Sequence, residues 1–244
     1  MKKILAYLLT AIHLLVFGLI LVLFHPMQWI ALKIGGYTGH KRMVKRMNYC
    51  LIQSLKILGN TCTFTIGYEI PKDKPLIIVS NHQSTYDISP IQYYLDDHHV
   101  KFVSKVELAK GIPSVSFNLR HGGSVLIDRK NPRQALPAMK QFAEYLEANK
   151  YAGVIFPEGT RSKNGIPKSF SPNGLKTLIK YMPSAYIVPV TINNSWKIIE
   201  NGYRPMNIGI RATWQTHKPI EVAGRDFDEL LKEVEDTIKG AIIN

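Results

Sequence analysis

Cysteine is scarce: only Cys50 and Cys62 occur in 244 residues. Two cysteines at that spacing make neither a zinc module nor a disulfide framework, which suits a reducing compartment and predicts no metal. Acidic residues are also in deficit, with 18 Asp and Glu against 31 Lys and Arg and a formal net charge of +13. Such a balance suits an anionic partner: nucleic acid, acidic lipid headgroups or a phosphorylated substrate. The chain has no recognition helix, zinc module or aromatic RNA-binding signature, so no nucleic-acid partner is expected. Internal repeats and low-complexity linkers are absent as well. What remains is one substantial core with an appendage.

Charge is also missing from the N-terminal stretch. From Ile4 to Phe24 the sequence is apolar except for Thr10 and His13. At 1.5 Å per residue such a run reaches roughly 30 Å, enough to cross a bilayer core. It is too long for a signal-peptide core, and no small-residue cleavage site follows. His13 reads as a polar residue tolerated inside the apolar helix. Lys2 and Lys3 precede the run; Lys41, Arg42, Lys45 and Arg46 follow it, with a second apolar stretch, Met27 to Ile34, between. The positive-inside rule draws both ends to the cytoplasm, the second more strongly. Two arrangements fit: a helical hairpin dipping into one leaflet, or a single span with the following domain cytoplasmic. Either predicts a protein on the membrane with its domain on the cytoplasmic face, the inner membrane if the source is a Gram-negative bacterium. In the next segment, Lys41 to Leu58, Met43, Met47, Leu51, Leu55 and Leu58 recur at helical spacing. That amphipathic helix either lies on anionic lipid or packs on the domain.

After Gly59 the pattern alternates between strands and helices. Apolar runs predict strands over 61–67, 76–79, 101–103, 124–127, 153–156, 186–192 and 208–214. Asn131 with Pro132 predicts the cap and first turn of a helix over 133–148, with Pro137 disturbing its early part. Ser171-Pro172 opens another helix, to about Tyr181, and Asp226 caps a last one carrying Leu230, Val234 and Ile238 on one face. The fold class is therefore α/β, a largely parallel covered sheet with flanking helices, preceded by an N-terminal membrane-anchoring helical segment. The expected division is 1–58 for membrane helix or hairpin plus basic amphipathic helix, and 59–244 for the α/β domain.

Two loops in that domain carry chemistry-bearing residues. Asn81-His82-Gln83-Ser84-Thr85-Tyr86-Asp87 follows the run Leu76–Val79. On one regular helix, side chains five apart diverge by about 140°, so a contact between His82 and Asp87 needs a turn. A carboxylate accepting from one imidazole nitrogen fixes the tautomer and leaves the other nitrogen free as a base. The bland alternative is a loop histidine beside a helix N-terminal aspartate. Phe156-Pro157-Glu158-Gly159-Thr160-Arg161-Ser162 follows Gly153-Val154-Ile155, with Pro157 and Gly159 ending the strand. Alone it reads as a polar turn with a Glu–Arg pair.

Together, in this order and spacing, the H-x-x-x-x-D and F-P-E-G-T-R-S loops resemble the glycerolipid acyltransferase family, of 1-acylglycerol-3-phosphate acyltransferase type. Gly122-Gly123-Ser124-Val125-Leu126-Ile127-Asp128-Arg129 is similar to the family's second block, Ile187–Ile192 with its internal Pro189 to the fourth, and Lys105 sits where the family carries a lysine. The resemblance covers residues 75 to 192. One stretch departs: where the family often has Phe-Lys-x-Gly, this chain reads Phe170-Ser171-Pro172-Asn173-Gly174, which leaves the exact acceptor open.

The resemblance implies transfer of a fatty acyl group from a thioester, acyl-CoA or acyl carrier protein, to the free hydroxyl of 1-acylglycerol 3-phosphate, giving phosphatidic acid with no cofactor. It makes His82 the base and Asp87 its support. Arg129 and Arg161, then Lys105, would bind the acceptor's phosphate; Glu158 would bind a glycerol hydroxyl or hold an arginine. Gly159 and Thr160 line the substrate site, and backbone N–H groups near Gly159 would receive the developing oxyanion. A thioester is already activated, so neither Ser84 nor Ser162 is needed as a nucleophile. The alternatives are an acyltransferase for another lysophospholipid and a non-catalytic membrane lipid-binding protein on the same fold. His98, His99 and His121 match no motif and read as structural or solvent-facing.

Overall fold

A computed structural model describes residues 2–243; Met1, Asn244 and the side chain of Lys2 lie outside it. The first element, α1 (Lys2–Ser54), is two helical arms merged across Gly36, whose φ of 54° and ψ of −148° no helix accommodates. The chain turns there and the arms, 2–35 and 37–54, run antiparallel. Leu21, Met47 and Leu51 form one apolar cluster between them, and the Gln28 amide donates to Met47 Sδ at 3.2 Å. Gly39 is needed at the bend: a Cβ there would lie 2.5 Å from the Ala31 carbonyl oxygen. Pro26 sits within the first arm without ending it.

This arm is long and apolar enough to cross a membrane, yet it is one-sided. Ala6, Thr10, His13 and Leu21 are buried against the protein, while a stripe including Ile4, Leu8, Leu15, Leu19, Leu23 and Ile34 faces outward, Ile4 at 75% and Ile34 at 84% exposure. The second arm resolves the reading of 41–58. Val44, Met47, Leu51, Leu55 and Leu58 are buried in the protein, not offered to lipid, and Lys41 and Lys45 reach Asp96 at 3.5 and 3.3 Å. A short 3-10 turn, Leu55–Leu58, ends at Gly59 in the left-handed region (φ 67°), where the chain leaves the helix for the sheet.

The remainder comprises β1 (Thr61–Ile66), β2 (Leu76–Ser80), α2 (Ile88–Tyr94), β3 (Lys101–Lys105), α3 (Val115–His121), β4 (Val125–Ile127), α4 (Pro132–Asn149), β5 (Ala152–Ile155), α5 (Pro172–Tyr181), β6 (Tyr186–Asn193), α6 (Ser195–Ile198), β7 (Arg211–Thr216), β8 (Ile220–Glu221) and α7 (Phe227–Gly240). The sheet order is β1-β7-β6-β2-β5-β3-β4, with β8 beside β6. All pairings are parallel except β6 with β7 and β6 with β8. The largely parallel sheet is thus found, with an antiparallel join toward one edge. Alternation divides the core between its two faces. Leu76, Ile78, Val154, Val188 and Trp214 pack on the side of α1 and α2. Ile77, Val79, Ile155 and Ile187 pack under α4, α5 and α7 with Phe142, Leu146, Leu178 and Leu230.

Two local expectations are corrected. Pro137 does not disturb α4, which is continuous from Pro132. Proline at that position frees only the Arg133 carbonyl, and Arg133 and Pro137 are exposed, so water satisfies it. The strand expected over 208–214 begins at Arg211, because Gly209 turns through φ 73° and gives its N–H to the Leu58 carbonyl. Asn131 caps α4 and Asp226 caps α7 as expected.

Candidate active site

Three adjacent parallel strands, β6, β2 and β5, end together, and the residues just past their C-terminal ends converge. After β2 the chain forms a 3-10 turn, Thr85–Asp87, capped reciprocally by Ser84 and Asp87. That turn is what a contact across five residues required. His82 Nδ1 lies 2.8 Å from Asp87 Oδ2. A carboxylate only accepts, so Nδ1 carries the proton and Nε2 is left with its lone pair. The imidazole is 19% exposed and Asp87 is fully buried; His82 stacks on Phe156 with ring centroids 4.2 Å apart.

Asp87 is held by more than its histidine. Oδ2 also accepts from the backbone N–H of Gln83 (2.6 Å) and Ser84 (2.9 Å). Oδ1 accepts from the Ser84 hydroxyl and from the hydroxyl of Ser195, at the start of α6. Gln83 Oε1 in turn accepts from the Ser195 N–H at 3.1 Å. Ser195 and Gln83 are the functional neighbours that sequence reasoning missed. Ser195 lies 108 residues from Asp87, and the only local signal is its place as a polar residue just past the end of a strand.

After β5, Glu158 is buried, and both of its carboxylate oxygens are engaged. Oε1 accepts from the His82 N–H at 2.7 Å and Oε2 from the Lys168 N–H at 2.9 Å. Burial raises the Glu158 pKa, opposed by those two N–H donors. In this arrangement Glu158 ties the two loops together rather than holding an arginine. The Ser162 N–H adds a second tie, to the His82 carbonyl at 2.8 Å. The Gly159 N–H is spent on the Phe156 carbonyl at 3.1 Å, within a turn that needs its φ of 71°. That removes it from the oxyanion donors; among the described residues the N–H groups of Thr160 and Arg161 have no protein partner.

The cations surround this centre. Arg161 Nη1 donates to the Thr85 hydroxyl at 2.7 Å, and Arg129 Nη1 donates to the Gly159 carbonyl. Lys168, not singled out from sequence, donates to the Thr160 hydroxyl at 2.6 Å. Lys105 ends β3 on the same edge of the sheet, exposed. Ser84 is taken up in the Asp87 network, and the hydroxyl of buried Ser162 has no hydrogen-bond partner among the described residues. Burial, with the nearby Asp87 charge, pushes the Cys62 thiol up to about 12, so it carries no thiolate near neutral pH.

The apolar arm joins the site directly. His13 Nε2 lies 2.9 Å from the Tyr86 hydroxyl inside the His82–Asp87 loop, and its Nδ1 lies 3.0 Å from the Ser54 carbonyl. His13 therefore bridges both arms to the loop instead of merely being tolerated. His99 clusters with Tyr37 and Tyr151, three rings in mutual contact, and His121 packs against Phe117, both away from this centre.

The arrangement holds an imidazole with a buried carboxylate behind it, arginine and lysine side chains on the neighbouring loops, and, among the described residues, unpaired backbone donors alongside. Comparison with known proteins points the same way. The sequence model of one family, Acyltransferase, matches residues 62–193. A chloroplastic 1-acyl-sn-glycerol-3-phosphate acyltransferase of Arabidopsis thaliana is 32% identical over 167 residues, 68% of this chain and 44% of that protein. A Helicobacter pylori protein of the same name is 35% identical over 130 residues, 51% of each chain, and the mouse alpha form 25% over 187 residues, 77% of this chain and 64% of that one. The chain thus spans 44% to 64% of the length of these curated relatives. The crystal structure of the 1-acyl-sn-glycerophosphate acyltransferase from Thermotoga maritima has the same fold, with a TM-score of 0.80 at 24% identity over 98% of this chain and 95% of that one.

Proposed function

The chain belongs to the Acyltransferase family, and on that premise we propose that it transfers a fatty acyl group from a thioester to the free hydroxyl of 1-acylglycerol 3-phosphate, giving phosphatidic acid. The observation that carries the reading is the His82–Asp87 pair, just past the end of β2, with Nε2 in no hydrogen bond among the described residues. His82 Nε2 takes the proton of the acceptor hydroxyl as its oxygen attacks the thioester carbonyl. The negative charge on that carbonyl oxygen is met by the Thr160 and Arg161 N–H groups. Collapse breaks the C–S bond, and the imidazolium returns its proton to the leaving thiolate. A positioned base of this kind accelerates transfer by about 10²–10⁴-fold.

Arg129, Arg161 and Lys105 bind the acceptor's phosphate, the arginines through planar forks that suit its oxygens. Glu158, Gly159 and Thr160 shape the loop that places them. The helical hairpin holds the enzyme on the bilayer by its outward apolar stripe. One-sided packing along the whole first arm supports an arm lying within one leaflet, where a lysolipid slides into the site without leaving the membrane. The basic residues Arg42 and Arg46, exposed on the second arm, support a cytoplasmic orientation. The donor is an acyl-CoA or an acyl carrier protein thioester.

An acylation assay of the purified protein tests this, with a panel of lysolipids and both donor types. Phosphatidic acid formation, lost in His82→Ala while the protein still unfolds in one cooperative transition at a melting temperature lowered by only several degrees, is the expected result. Transfer only to a lysolipid with a larger headgroup would reassign the acceptor, and no transfer to any lysolipid would leave a binding protein.

A further inference from the structure

A cavity of about 910 Å³ opens between α4 and α5 and reaches Phe156, the ring on which His82 stacks. Its size falls in the range of ligand sites. Val103, Ile127, Met139 and Ile155 make its apolar floor. At the catalytic end it reaches Arg129, Pro157 and Gly159 of the motif loops. Away from the motif loops its lining carries Lys140 from α4 and, one and two turns along α5, Lys176 and Lys180. Among the described residues that line it, none is acidic.

Its place in the fold matters. The apolar stripe of α1 lies on one face of the sheet, with α2. The cavity lies on the other face, under α4 and α5. An enzyme resting on lipid by α1 therefore turns the cavity toward water. His82 stacks on Phe156, which belongs to the apolar cluster on the α1 side of the sheet. Gly159, with the Arg129 guanidinium on its carbonyl, lines the cavity three residues on from Phe156. Along α5, Asn173 and Lys180 are separated by about 10 Å of helix, so an elongated molecule is needed to touch both the motif loop and the lysines.

Resting on the acyl-transfer reading above, we infer that this cavity receives the phosphopantetheine thioester of the donor from the water side. The thioester lies at Gly159 and the phosphate-bearing end at Lys140, Lys176 and Lys180, while the lipid acceptor arrives from the α1 side. Coenzyme A and acyl carrier protein present the same phosphopantetheine phosphate, and their anionic remainders meet the same rim. The lysines are exposed; Lys140 is loosely paired with Glu144 at 3.7 Å, and the three ammonium groups lie over the rings of Tyr181 and Phe227, surface contacts whose loss should not unfold the chain.

The test is the triple variant K140E/K176E/K180E in the full-length protein, alongside Ala135→Trp, which fills the cavity without changing charge. For the charge variant the KM for acyl-CoA should rise about ten- to hundred-fold at low salt and converge on wild type at high salt. The KM for lysolipid and kcat at saturating donor should stay within about two-fold. Ala135→Trp should raise donor KM at every salt concentration. Titration of wild type and variant with coenzyme A alone gives a readout without turnover: wild type binds and the triple variant does not. Parallel assays with an acyl carrier protein thioester tell which donor uses the rim more strongly. An unchanged donor KM in both variants overturns the assignment while leaving acyl transfer standing. A rise in lysolipid KM instead overturns it in favour of the acceptor. Lysine-dependent coenzyme A binding in a protein without acyl transfer would keep the site and remove the activity.

Discussion

Asp87→Asn separates the base-supporting role of this residue from its structural one. The carboxylate is fully buried and accepts five hydrogen bonds, three at Oδ2 and two at Oδ1. If the asparagine keeps its oxygen at the Oδ2 position, the N–H groups of Gln83, Ser84 and His82 retain an acceptor. Its NH₂ then faces the hydroxyls of Ser84 and Ser195, which rotate to accept. Each retained bond weakens from the charge-assisted range to the neutral one, by about 1 kcal/mol. The buried charge, with its desolvation cost, disappears at the same time. The net destabilisation should be about 1–2 kcal/mol, a fall in melting temperature of roughly 2–8 °C for a chain of this size. Catalysis has no such offset, because the imidazolium formed during transfer loses its counter-charge. In the opposite amide orientation, NH₂ meets Nδ1, the proton moves to Nε2, and no base remains. Either way kcat should fall by about 10²–10⁴-fold. Thiol release from the donor, measured at saturating substrates, gives kcat; scanning calorimetry gives stability. In a His82→Ala background the same substitution should cost almost nothing further in rate, since the two residues act as a unit. A kcat within three-fold of wild type refutes the support role, and an additive loss in the double variant shows that Asp87 acts without His82.

Ser195→Ala removes one hydroxyl donor from Asp87 and should lower kcat about three- to thirty-fold with little change in either KM; Ser195→Thr should restore part of it, and a change confined to KM would speak against positioning. Arg129→Ala and Arg161→Ala should each raise the KM for a phosphate-bearing acceptor about ten- to hundred-fold and that for the donor less; equal effects on both would mark them as structural. Lys101 is buried with its Nζ 2.6 Å from the Tyr37 hydroxyl beyond the Gly36 bend, and burial, with Lys41 nearby, lowers its pKa from 10.5 to about 8. Below about pH 8 both folded and unfolded chains carry its proton. Between about 8 and 10.5 only the unfolded chain does, so wild type should gain stability over Lys101→Met as pH rises through that window, by up to about 3 kcal/mol; a flat difference in chemical unfolding from pH 7 to 10 would contradict it. Replacing exposed Ile4, Leu8, Leu15 and Leu19 with serine should move much of the protein to the soluble fraction without unfolding it, whereas deleting residues 1–40 would also strip the Thr10 and His13 contacts from the domain; full membrane retention of the serine variant in high salt would place the anchor elsewhere.

Local physics made much of this protein legible in the amino-acid order. Short apolar runs closed by Gly, Pro or polar residues marked β2 and β5, since a strand buried on both faces has no polar position. Caps at Asn131 and Asp226 marked helix starts because the donors they satisfy lie two or three residues away. That a contact between His82 and Asp87 would need a turn followed from a five-residue spacing that a helix cannot close. Other features depended on which strands became neighbours. Ser195 reaches Asp87 because β6 pairs with β2, and Glu158 reaches the His82 N–H because β5 lies on the other side. Neither adjacency is written in any window of sequence, because sheet order is settled by crossovers that bring distant segments together. The same holds for the apolar arm. Its length and composition were plain, but only packing determined that Gly36 folds it back, that His13 bridges to Tyr86, and that one stripe stays outside. A side chain's neighbours set its hydrogen bonds and desolvation, and those neighbours exist only once the chain has folded.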